Sequence, residues 1–203
     1  MKKINLPQKG EPDYLIRQKK LSTIKTAISF AAAIIIFIIG YAIYHESASK
    51  IEVSEIIYTR ENIFTIIAVL ALLPASRNTV SMIMFLKTPA YDTGICNQIQ
   101  QIAEIPMLYH LYLTSYQKNY AMTCMTARGG NLIGFSEFDK CDVNSCKEHI
   151  EGILTQNGIK NINVKIFGKN DYKMFEERLK QLQAQEAGKH DEELLSLMCD
   201  ISL

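Results

Sequence analysis

Upstream of about residue 87 the apolar positions come in unbroken runs; downstream they recur at helix or strand spacing. Thr26 to Tyr44 reads TAISFAAAIIIFIIGYAIY, nineteen residues without a charge. At about 1.5 Å of rise per residue, such a helix is as long as a bilayer core is thick. Ile34 to Ile39 alone contribute about −2 to −4 kcal/mol to insertion, and only Ser29 and Gly40 oppose them. Tyr41 and Tyr44 sit where an aromatic belt would place them. The pattern predicts a membrane-spanning helix over about 26–44, and Pro7, Gly10 and Pro12 argue against regular structure before about Asp13.

The second apolar run is less simple. Ile63 to Leu73 is too short to cross a bilayer, and the longer stretch to Leu86 passes through Pro74, Arg77 and Asn78. Two readings stay open. In one, a helix spans 63–86 with a kink at Pro74 and Arg77 buried against the first helix. In the other, which is favoured, the helix ends near Ser76, Arg77 lies at the inner interface, and Val80–Lys87 continues as an interfacial turn.

Beyond Lys87 the spacing shortens. Asp92-Thr93-Gly94 offers an N-cap, and Ile95, Ile99 and Ile102 keep helical spacing toward Pro106, which predicts a helix over Gly94–Glu104. Three alternating runs follow: Tyr109–Tyr116, Tyr120–Arg128 and Leu132–Phe138. They are separated by Gln117-Lys118-Asn119 and Gly129-Gly130-Asn131, both short hairpin turns, and form an antiparallel meander. In the second run Ala121, Thr123, Met125 and Ala127 fall on one face, and Met122, Cys124 and Thr126 on the other. Ser145-Cys146-Lys147-Glu148 matches a capping box opening a helix that Gly158 closes. Val164–Phe167 reads as a strand, and Asn170 or Asp171 caps a helix carrying Tyr172, Phe175, Leu179 and Leu182. Leu194, Leu195, Leu197 and Met198 make a further helical turn. The fold class expected is therefore an N-terminal two-helix transmembrane hairpin plus a small α/β (α+β) soluble domain, in the order helix–three antiparallel strands–helix–strand–helix. The divisions are a basic segment 1–25, a hairpin 26–87 with helices about 26–44 and 63–86, and a soluble domain 88–203 with a C-terminal helical tail.

Charge gives this plan an orientation. Lys2, Lys3, Lys9, Arg17, Lys19, Lys20 and Lys25 precede the first apolar run against Glu11 and Asp13, whereas 45–62 holds Glu46, Glu52, Glu55 and Glu61 against Lys50 and Arg60. The positive-inside rule puts the N-terminus in the cytoplasm, the loop outside, and the C-terminus back in the cytoplasm. The long basic region and apolar run suit an anchor better than a cleaved signal peptide, despite the small residues Ser47-Ala48-Ser49. A formal net charge of +1 over 203 residues excludes a polyelectrolyte. The five cysteines (Cys96, Cys124, Cys141, Cys146, Cys199) are odd in number, lack framework spacing, and suit free thiols in a reducing compartment. Richness in Ile, Lys and Asn with no Trp points to an AT-rich bacterial genome.

Candidate chemistry is sparse. Cys141, Cys146 and His149 lie close together, and Cys146 and His149 share a helix face at i, i+3, but a closed zinc site needs four ligands in tighter pairs; a capping turn with one buried Cys is expected instead. Of the histidines, His45 falls outside the cytoplasm, His110 lies on a strand, and neither His149 nor His190 belongs to a recognised nucleophile or metal motif. Arg128-Gly129-Gly130-Asn131 is read as a hairpin turn rather than a phosphate cradle. The basic residues from Lys160 to Lys180 are interleaved with acids, as on a solvated helix face with a Glu176–Lys180 pair.

Two resemblances add to this. The element order over about 90–180 resembles the core of restriction-endonuclease-like (PD-(D/E)xK) nucleases. That family needs an acidic residue on its second core strand and Glu-x-Lys on its third to hold Mg²⁺. Here Tyr120–Arg128 has no acid, and Glu137-Phe138-Asp139-Lys140 has one residue too many, so the resemblance implies a nuclease-like scaffold without the nuclease site. The opening MKKINLP, the double-apolar N-terminal half and Leu73-Pro74-Ala75 resemble an uncharacterised two-pass membrane family of low-GC Gram-positive bacteria. Some of its members carry an automatic O-linked GlcNAc transferase-like label, but this chain has neither helical repeats nor a sugar-nucleotide signature.

The sequence thus predicts a membrane-anchored cytoplasmic module for interaction or sensing, with no catalytic, cofactor or metal residue assigned. Its expected partners are the lipid bilayer and a protein bound through the soluble domain or Arg77; no nucleic acid is expected. The alternatives are a membrane-tethered nuclease or hydrolase with a divergent site around Glu137, Asp139, Lys140 and Glu148, and a subunit of a larger membrane complex.

Overall fold

The computed structural model describes residues 8–48, 55–116 and 118–203, with side chains described for 8–42 and from 66 onward, Gln117 excepted. The chain forms two compact units. One is Ile16–Lys87; the other joins the residues up to Leu15 to Thr88–Leu203.

The first unit is two helices, α1 (Tyr14–Ala48) and α2 (Glu55–Leu86). Both overrun the apolar stretches, so most of the predicted loop 45–62 is helical and residues 49–54 lie outside the described residues. The start of α1 at Tyr14 follows the Pro- and Gly-marked segment, as the sequence suggests. Two stretches, Tyr14–Ala42 and Ile66–Leu86, are long and apolar enough to cross a membrane. α2 runs through Pro74 without a break, so the favoured ending near Ser76 is not what forms. Ala75, with no exposed surface, packs next to the proline, and the hydroxyls of Ser76 and Thr79 donate to the carbonyls of Leu72 and Ala75. Neither hydroxyl reaches the carbonyl of Leu70, which the proline leaves without its helical donor, and the helix continues past that single missing bond. Small residues are the buried ones: Ser22, Thr26 and Ala33 on α1, Ala68 and Ala75 on α2. The large ones face out, as with Ile35 at 55% and Leu73 at 65% exposure. Asn78 Nδ2 donates to Ser29 Oγ at 2.7 Å. Arg77 is exposed, unlike in the less favoured reading, which buried it against the first helix.

The second unit is a four-stranded mixed sheet between helices. After α3 (Thr93–Ile102) come β1 (Leu108–Thr114), β2 (Asn119–Arg128) and β3 (Asn131–Phe135). α4 (Val143–Gln156) then leads to β4 (Asn163–Phe167), and a 3₁₀ turn at Lys169–Asp171 opens into α5 (Tyr172–Gln183). A last helix, α6 (Asp191–Asp200), completes the unit. The sheet order is β1-β2-β3-β4, the first three antiparallel and β4 parallel to β3. Gly129 and Gly130, at φ 58° and 76°, make the two-residue β2–β3 turn that needs left-handed backbone at both positions. One core holds Met122, Met125 and Leu132 of the sheet with Cys146, Ile150 and Leu154 of α4 and Leu194 and Met198 of α6. The other holds Ile99 of α3, Cys124, Phe135 and Phe167 of the sheet, and Phe175 and Leu179 of α5. The C-terminal helical turn is therefore a docked helix.

Two local expectations are corrected. Asp142, not Ser145, caps α4: its carboxylate accepts from the Ser145 amide at 3.1 Å and the Ser145 hydroxyl at 2.7 Å. The strict alternation along β2 also fails, because Met122 and Met125 share one core while Cys124 enters the other. Opposite this reversal His110 adopts φ 51°, and the His110–Thr123 pair is missing from an otherwise regular register. Left-handed backbone at a non-glycine turns the strand over.

The outer edge of β1 is closed by both ends of the chain. Tyr109 N donates to Gly10 O at 2.7 Å, and Leu203 N donates to Tyr112 O at 3.0 Å. Lys9 Nζ donates to the Cys199 and Ser202 carbonyls at 3.2 and 2.9 Å, where the end of α6 leaves acceptors free. Gly10 holds φ 89°, with Leu108 filling the space a Cβ would need.

Candidate functional site

The described residues form a cleft of about 450 Å³ between the β1–β2 turn and the first turns of α4. Ser115, Tyr116 and Lys118 line the turn side, and Tyr120 of β2 lies at its base. Ser145, Glu148 and His149 supply the helix side. The strand ladder fixes Tyr120, and the Asp142 cap fixes the start of α4. His149 lies 5.6 Å from the Tyr120 ring, and its Nε2 is buried without a hydrogen-bond partner. Lys118 reaches Asp142 at 3.5 Å across the rim. The Ser145 hydroxyl and amide hold the Asp142 carboxyl below the usual carboxylate range. The cleft therefore presents an imidazole, a carboxylate and two phenols, a surface suited to polar contacts with a partner.

The four residues proposed for a divergent hydrolytic site do not converge. Glu148 lines the cleft. Asp139 and Lys140 are exposed, and Asp139 accepts from Lys169 at 2.9 Å. Glu137 turns inward: its Oε1 accepts the Asp92 amide at 2.8 Å, its own amide donates to Thr123 Oγ1, and its Oε2 is buried without a partner. Burial raises the Glu137 carboxyl above its ordinary pKa, against the hydrogen bonds from Asp92 and Thr123 and the charge of Lys169. Tyr91 lies alongside, stacked on His110 at 4.4 Å with its hydroxyl on the Leu111 carbonyl. Burial lowers the His110 pKa, while its bond to the Pro12 carbonyl and the charge of Asp13 act the other way. These groups stabilise the junction of α3, β1 and the segment around Pro12.

The other sequence candidates scatter. Cys146 is fully buried with its thiol on Met122 Sδ at 3.8 Å, whereas His149 turns to the cleft. Among the described residues no group of three or more His, Cys, Asp or Glu is arranged to hold a metal ion. Arg128 and Asn131 bind Gln185 instead of presenting a phosphate cradle, and the Glu176–Lys180 pair forms at 2.7 Å. His190 pairs with Glu193 on the surface, and the side chain of His45 lies outside those described. Sequence reasoning missed Tyr116, Lys118 and Tyr120 as lining residues. Their only signal was an aromatic and basic turn opposite a capped helix. It also missed Asp191, whose carboxylate accepts the amides of Gly129 and Gly188. Compared with known proteins, the chain matches no family model, no curated protein and no solved structure.

Proposed function

We propose that the protein is a two-pass membrane protein whose α/β domain faces the cytoplasm and serves as a non-catalytic interaction or sensing module. One observation carries the reading. The chain before α1 and the chain after α2 belong to one folded unit, tied by Lys9, Gly10 and Pro12 to α6 and β1. If the hairpin enters a bilayer, it therefore leaves and re-enters on the same side. The basic N-terminal charge then selects the cytoplasmic side. The cleft beside α4 is the surface a partner would use.

Membrane-impermeant maleimide on intact cells tests the topology. Cys141 and Cys199 are partly exposed, so both should label only after permeabilisation; labelling in intact cells overturns the reading. The protein should also stay in the pellet after carbonate extraction, and its release would remove the anchor.

A second reading, a subunit of a larger membrane complex, is favoured by the exposure of Arg77 within the Ile66–Leu86 stretch. An arginine facing lipid near mid-bilayer costs about 2.5–3.5 kcal/mol on insertion scales, which an acid on a neighbouring helix offsets. Photocrosslinking from position 77 distinguishes the two: adducts to protein support the complex, adducts to lipid alone the solitary anchor. What supports a nuclease-like scaffold is the helix–three strands–helix–strand order with β4 parallel to β3. Against the enzyme stands the separation of Glu137, Asp139 and Glu148 into three environments.

A further inference from the structure

We propose that Cys141 and Cys146 are a peroxide-oxidisable thiol pair, in which Cys141 reacts first and Cys146 closes a disulfide onto it. The proposal is independent of which side of a membrane the domain occupies. Its basis is the start of α4. With Asp142 as N-cap, Cys141 is the residue before the cap and Cys146 the fourth of the helix. Side chains at these two positions pack on each other across a helix entrance, usually as an apolar staple. Here the staple is two thiols, with Cys141 packed against the core cluster that contains Cys146.

Their surroundings divide the labour. Cys141 is partly exposed, and Cys146 has no exposed surface. The Cys146 thiol and the Ser136 hydroxyl lower the Cys141 pKa to about 7, against burial and the charge of Asp142. The neighbouring Cys141 thiol, together with burial, pushes Cys146 up. A partly exposed thiol of lowered pKa beside a protonated thiol is the arrangement that a sulfenic acid and its resolving cysteine require. The other cysteines provide the contrast. Cys96 is buried and pushed up to about 11, Cys124 is wholly buried and raised, and Cys199 is raised by burial.

The chemistry balances with hydrogen peroxide as oxidant. The Cys141 thiolate attacks one peroxide oxygen, the O–O bond breaks, and the leaving hydroxide takes a proton to become water. Cys146 sulfur then attacks the Cys141 sulfenic sulfur, its proton goes to the departing hydroxyl, and a second water leaves. Two thiols lose two electrons to one peroxide, and a dithiol reductant reverses the change by exchange.

The full-length chain in detergent, treated with a small excess of hydrogen peroxide and mapped by peptide mass spectrometry, tests this. The expected product is one Cys141–Cys146 disulfide, with Cys96 and Cys124 still free, and its loss on adding dithiothreitol. Cys146→Ala should leave Cys141 as a sulfenic acid trapped by dimedone; Cys141→Ser should leave Cys146 reduced. If Cys141 and Cys146 both stay free, or if Cys199 oxidises before Cys141, the proposal is overturned. The wild-type map decides the matter even if a variant fails to fold.

Discussion

The hairpin and the α/β unit use the same apolar residues in opposite ways. In the α/β unit Ile99, Phe135 and Phe175 have essentially no exposed surface. In the hairpin Ile35, Phe37 and Leu73 are more than half exposed, and Ala33, Ala68 and Ala75 are buried in their place. Water drives large apolar groups inward in proportion to their area. Hydrocarbon exerts no such force, so helices that meet within it do so through small residues and occasional hydrogen bonds. The Asn78–Ser29 contact beside this alanine seam fits that second regime. An inverted distribution is thus better support for a bilayer than length and hydropathy, which a buried core helix would also satisfy.

Substitutions can break this contrast, and the largest effect belongs to the aqueous core. Phe175→Ala should destabilise the α/β unit by about 3–5 kcal/mol, read as an earlier urea transition in near-ultraviolet circular dichroism. Membrane association should be unchanged, since the hairpin takes no part in that core; loss of both together would mean the two units are not independent. In the hairpin the sensitive direction is reversed. Ala75→Phe, which overfills the seam, should cost about 1–3 kcal/mol, whereas Ile35→Ala should leave helix pairing unchanged. Resistance of detergent-solubilised hairpin to proteolysis ranks the two, and equal sensitivity would contradict an inside-out seam.

A smaller effect concerns the buried charge at Glu137. Burial raises its folded-state pKa above the unfolded value. The folded protein therefore gains stability from this group as pH falls through the folded pKa, and lacks that gain at higher pH. Glu137→Gln retains an acceptor for Asp92 and removes the buried charge, and should stabilise the fold near pH 8, with the advantage fading as pH approaches the carboxylate range. Thermal melts across pH check this, and an advantage constant with pH would place the effect elsewhere. Smallest is Asn78→Leu, which removes the bond to Ser29 and should cost about 0.6 kcal/mol, visible as weaker helix association but not as altered insertion.

What was legible in the sequence follows the range of the interactions involved. The Asp92 cap, the Gly129-Gly130 turn and the spacing of Phe175, Leu179 and Leu182 are settled within a few residues, and the fold places all of them as the sequence suggests. The α4 cap was misplaced because Ser145 to Glu148 matches a capping box while Asp142, three residues earlier, was overlooked; the hydroxyl thought to cap the helix donates to the true cap. The reversal in β2 was hidden because Tyr120 to Ala127 is buried on both faces, so either phase of alternation reads as apolar. The junction around Glu137 and the closure of β1 rest on contacts between residues 14 to 193 positions apart, and no local pattern encodes them. The cleft was partly visible, since Glu148 and His149 had been singled out, but its other wall comes from a turn on a different element.

The closure of β1 by both ends of the chain has a bearing on synthesis. Residues 8–13 leave the ribosome before the hairpin, whereas their partners on α6 and at 201–203 leave it after the whole sheet. Between them the hairpin emerges whole. The hairpin is therefore complete before the unit that holds both of its ends can be sealed. For that interval the edge of β1 lies open, and the nascent protein is most exposed to aggregation after the hairpin has formed.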